Sequence, residues 1–60
     1  MNYTKYNWKF YVMENEQGIF KTTYAENVGQ CEQLLIKLFG TAEGFTIDEY
    51  ASERDYLNNL

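Results

Sequence analysis

The 60-residue chain contains no histidine, no proline and a single cysteine. Without histidine it lacks the side chain that most often serves as general base or metal ligand near neutral pH. A lone Cys31 cannot form an internal disulfide, and it suits a reducing compartment. Basic residues are also scarce. Five Lys and Arg stand against nine acids, for a net charge of −4. That balance argues against non-specific binding to nucleic acid or anionic lipid by the molecule as a whole. The longest aliphatic run, Leu34-Leu35-Ile36, is far too short to span a membrane. The opening Met1-Asn2-Tyr3-Thr4-Lys5 leads into alternating residues rather than an apolar targeting stretch, so a soluble, cytoplasmic protein is expected.

Aromatic rings, by contrast, are abundant: six Tyr, four Phe and one Trp make up 18% of the chain. A domain of this size buries only about 60% of its unfolded surface, and large rings are an efficient way to build so small a core. The charge is uneven. Residues 1–25 carry a net of +1, from Lys5, Lys9 and Lys21 against Glu14 and Glu16, whereas residues 26–60 carry −5. The length fits one small domain over residues 1–60, with no repeat, linker or low-complexity segment.

Residues 5–13 alternate with a period of two. Tyr6, Trp8, Phe10 and Val12 fall on one side, and Lys5, Asn7, Lys9, Tyr11 and Met13 on the other. The first set is entirely apolar or aromatic and the second mixed, as in a half-buried strand. Glu14-Asn15-Glu16-Gln17-Gly18 reads as a turn with Gly18 at positive φ, and the β-branched and aromatic residues 19–25 read as the returning strand. Asn27 then caps a helix, with Gln30 completing a capping-box pattern. Val28, Cys31, Leu34, Leu35, Leu38 and Phe39 form its apolar stripe, Ile36 lies off that stripe, and Gly40 ends it. Residues 44–50 read as a third strand with Phe45 and Ile47 facing the core. The competing reading is one helix, because Thr46 and Glu49 also make a capping box. A third strand makes the hairpin viable and is preferred. Ser52 then caps a short helix ending near Asn58.

The expected fold is therefore α+β: a small two-layer ββαβ domain, with one main helix on one face of an antiparallel sheet and a short C-terminal helix. The helix is expected to cover the face bearing Tyr6, Trp8, Phe10 and Val12, joined by Phe20 and Tyr24. With Phe20 beside Val12, Met13 falls near Ile19 and Tyr11 near Lys21. Tyr11, Met13 and Ile19, with Lys9 and Lys21 at the margin, then form an uncovered apolar patch.

Catalysis finds no support in the residues. Cys31 sits on the apolar stripe without a histidine to activate it, and buried cysteines of this kind act as small hydrophobes. Asp48, Glu49, Glu53 and Asp55 lack the spacing of a calcium loop, and no phosphate-cradling glycine loop accompanies them. Neither a cofactor nor a metal is expected. The best reading is a non-enzymatic protein-interaction module that binds a protein partner or a second copy of itself. By format, a short acidic domain without catalytic residues is similar to many small phage or mobile-element proteins that bind and block a host factor. Two alternatives remain. The hairpin lysines with Tyr11 would suit single-stranded nucleic acid, and the acids from Glu43 to Asp55 could imitate a DNA backbone.

Overall fold

A computed structural model describes residues 8–60; Lys5, Tyr6 and Asn7, assigned above to the first strand, lie outside the described residues. The order is β1 (Lys9–Glu14), β2 (Phe20–Ala25), α1 (Val28–Phe39), β3 (Thr46–Tyr50) and α2 (Glu53–Asn58). The strands form one antiparallel sheet in the order β2-β1-β3. This is the α+β, ββαβ arrangement expected from the sequence, completed by a short C-terminal helix.

The helix boundaries follow their capping chemistry. The Asn27 side chain accepts the Gln30 N–H at 3.0 Å. The Gln30 side chain reaches back one residue further than in the usual box, accepting the Glu26 N–H at 2.8 Å. At the other end Gly40 adopts φ 85° and its N–H bonds Ile36 O at 2.8 Å, closing the last turn in the left-handed region. Ser52 caps α2 by accepting the Asp55 N–H at 3.1 Å.

The hairpin closes one residue later than the sequence suggests. Asn15 N–H bonds Ile19 O at 3.1 Å, and Gly18 at φ 87° supplies the positive-φ position of a three-residue loop. The Asn15 side chain fixes this turn by accepting the N–H groups of Gln17 and Ile19 at 3.1 and 3.0 Å. Met13 therefore pairs with Lys21, Tyr11 with Thr23 and Phe10 with Tyr24, rather than Met13 with Ile19 and Tyr11 with Lys21.

This shift carries a second correction. The core consists of Tyr11, Met13, Ala25, Cys31 and Leu35, with Leu34, Ala42, Phe45 and Ile47 packed around it. Helix α1 thus covers the face bearing Tyr11 and Met13, not the one bearing Phe10 and Val12. Crossover handedness explains why. Strands β2 and β3 both run antiparallel to β1 and so parallel to each other, and a crossover between parallel strands is right-handed in nearly all proteins. For the order β2-β1-β3, that hand places α1 over the face shown by the β2 residues that hydrogen-bond β1. Counted from the Asn15–Ile19 bond, the bonded rungs are Met13–Lys21, Tyr11–Thr23 and Lys9–Ala25. A turn closing at Glu14 and Gly18 would have exchanged the faces. Trp8 precedes β1, is not bound by its pleat, and packs against the α1 side.

The opposite face is covered at one end by α2. Phe10, Tyr24 and Tyr50 lie side by side there by register. Tyr56 of α2 packs on them, 5.7 Å from the Phe10 ring and 5.0 Å from Tyr50, while Phe10 meets Tyr24 edge-on at 5.2 Å. The Tyr24 hydroxyl accepts the Glu53 N–H at 3.1 Å, tying the first turn of α2 to β2. A six-residue helix is not stable by itself, so these contacts hold it.

Candidate interaction surface

The five residues assigned above to a partner-binding patch do not form one surface. Tyr11 and Met13 are 1% and 0% exposed, beneath α1. This corrects their expected place on an outer face: the late hairpin closure turns that face toward the helix. Ile19 and Lys21 are exposed and Lys9 is half-buried. Lys9 pairs with Ala25 and Lys21 with Met13, four rungs apart or about 13 Å along the sheet. The lysines therefore do not cluster, and Tyr11, the ring assigned to base stacking, is buried.

Tyr11 has a different task. Its hydroxyl donates to Glu49 Oε2 at 2.8 Å, linking the central strand to β3. Burial, then the hydrogen bond and charge of Glu49, push its phenol up to about 12. Cys31 is fully buried, and burial, with a smaller contribution from Glu32, raises its thiol to about 11. A thiol held protonated and out of solvent is a poor nucleophile. Among the described residues, no group of three or more His, Cys, Asp or Glu side chains is arranged to hold a metal ion. Among the same residues, no helix is long and apolar enough to cross a membrane.

The surface that sequence reasoning missed is on α1. The expected stripe is broader than the one buried: only Cys31 and Leu35 are buried, and Leu34 is half-buried. Val28, Leu38 and Phe39 are exposed, as is Ile36. One helix lies over β1 and β2, and α2 is on the other face, so among the described residues no neighbouring helix covers its flanks. Ile36 and Phe39 are one turn apart on one flank, with 46% and 42% of their surfaces exposed. The Phe39 ring stacks on Phe45 at 5.7 Å, extending the apolar strip toward β3. The sequence held one signal for it, Ile36 standing off the predicted stripe.

No protein family, curated protein or solved structure matches the chain.

Proposed function

We propose that the chain is a non-enzymatic protein-interaction module whose binding surface is the Ile36–Phe39 flank of α1, continued by Phe45. The observation that supports this most directly is the exposure of two large apolar side chains one turn apart on a capped helix. Scattered surface hydrophobics are normal, but these are neighbours, and contiguous apolar surface is what partners cover. The occupant is an apolar surface of a different protein, because two copies of this chain each carry −4 and repel at long range. Such a module acts by occupying its partner's surface, as a small inhibitor or adaptor does.

The test is an Ile36→Ser, Phe39→Ser double variant beside a Gln33→Ser control, each immobilised and exposed to extract from the source cells. The parent and the control retain a common protein that the double variant loses, while all three unfold cooperatively on heating. Equal retention by the double variant would sink the assignment of this flank. A parent that sediments as a dimer through these residues would replace the partner with a second copy.

A further inference from the structure

We propose that the outer edge of β3 accepts an extended, basic segment of another protein as a fourth strand. The inference rests on the reading of the chain as a protein-binding module, but uses a different surface from the α1 flank. Among the described residues, in the order β2-β1-β3, strand β3 has a neighbour on one side only. The rungs that bond β1 to β2 are Lys9, Tyr11 and Met13, so β1 bonds β3 through Phe10–Tyr50, Val12–Asp48 and Glu14–Thr46. That alternation turns the backbone N–H and C=O groups of Ile47 and Glu49 to the open side. Among the described residues, no backbone hydrogen bond outside the β1 ladder engages either one.

The side chains state what kind of strand fits. Asp48 lies on the α2 face of the sheet and Glu49 on the α1 face, so both faces of the edge are acidic. Among the described residues no ion pair neutralises either carboxylate, and Glu49 is positioned by the Tyr11 hydroxyl. Half-buried Ile47, flanked by Phe45, offers apolar contact beside the charges. An incoming strand with Lys or Arg on both faces and an apolar residue opposite Ile47 meets all three features. A second copy fits less well. Two-fold antiparallel pairing centred on residue 48 sets Asp48 against Asp48, and centred on residue 49 sets Glu49 against Glu49. A pairing centred on Ile47 avoids this but still joins chains that each carry −4.

The probe is an acetylated, amidated heptapeptide, Thr-Thr-Lys-Lys-Val-Thr-Thr, which in antiparallel pairing sets one Lys opposite Glu49 and one opposite Asp48, on the two faces, and Val opposite Ile47. It is compared with the same peptide N-methylated at alternate amides and with a counterpart carrying Glu in place of both Lys. Binding is followed by amide chemical shifts and hydrogen exchange on the full chain. The Lys/Val peptide is expected to bind at least tenfold tighter than either control and to protect the Ile47 and Glu49 amides. An Asp48→Asn, Glu49→Gln variant, which keeps an acceptor for the Tyr11 hydroxyl, is expected to lose at least tenfold in affinity without unfolding. Equal binding of the N-methylated peptide would show charge attraction without strand pairing and overturn the inference, as would protection elsewhere or no binding at all. A β3-mediated homodimer would overturn it too. The Ile36→Ser, Phe39→Ser variant separates the two surfaces. Peptide binding that survives in it supports the edge whatever becomes of the α1 flank. Loss of peptide binding alone leaves the α1 reading standing.

Discussion

At the scale of single residues, Tyr11 joins folding to pH. Its folded phenol lies at about 12 against an ordinary 10, and the Cys31 thiol at about 11 against 9. Both are raised, so each contributes stability that is complete below its unfolded value and lost as pH climbs through its folded one. Thermal stability is therefore expected to hold to about pH 9 and to fall from there to about pH 12. Tyr11→Phe keeps the ring and removes the hydroxyl. It is expected to cost about 1 kcal/mol at neutral pH, for the hydrogen bond to Glu49, and to abolish the part of the alkaline loss above pH 11. Melting curves of both proteins from pH 7 to 12 check this, and parallel curves would show that the phenol does not titrate with folding. Tyr11→Ser, by contrast, empties the core and is expected to unfold the domain. Tyr11 lies in the core beneath α1, although alternation alone had put it outside.

At the scale of elements, α1 has a phase that two substitutions can read. Leu35 is fully buried against the sheet, and Gln33 is exposed. Leu35→Ala is expected to cost ~2–5 kcal/mol, much of the stability of so small a domain, and Gln33→Ala under about 0.5 kcal/mol. Urea unfolding of both variants measures the difference, and equal effects would mean that the helix presents another face to the core. The helix ends were legible because capping is local: Asn27, Gln30, Gly40 and Ser52 satisfy backbone groups within four residues of themselves. The hairpin was less legible. The Asn15 side chain competes with a turn one residue earlier, and its two hydrogen bonds decide the closure.

At the scale of the whole molecule, the sheet is held between two unequal helices, and the smaller one depends on a long-range aromatic cluster. Tyr56 touches Phe10, far from it in sequence, as well as the nearby Tyr50. Tyr56→Ala is expected to destabilise the domain by about 3 kcal/mol, within the range for large aromatic truncations but at its low end because the ring is only half-buried. Loss of α2 docking should also show as early hydrogen exchange of the Asp55 and Tyr56 amides before global unfolding. Unchanged melting would assign α2 to the surface alone. The same architecture creates both proposed binding regions. Among the described residues, one helix per face leaves the α1 flanks bare, and three strands leave β3 with an open edge.

The sequence by itself determined the elements and their order. Period-two alternation, two capped helices and glycines at Gly18 and Gly40 are local signals, each decided by residues a few positions apart. It also determined the two side-chain sets of β1, because the pleat admits no other grouping. Which set α1 would cover was not local. That choice depends on the hairpin closing at Asn15 and Ile19, on β3 docking beside β1, and on the right-handed crossover that joins them. Moving the closure by one residue exchanges the bonded and non-bonded rungs. Only the assembled sheet, with its crossover, could bury Tyr11 and Met13 and leave Ile36 and Phe39 in solvent.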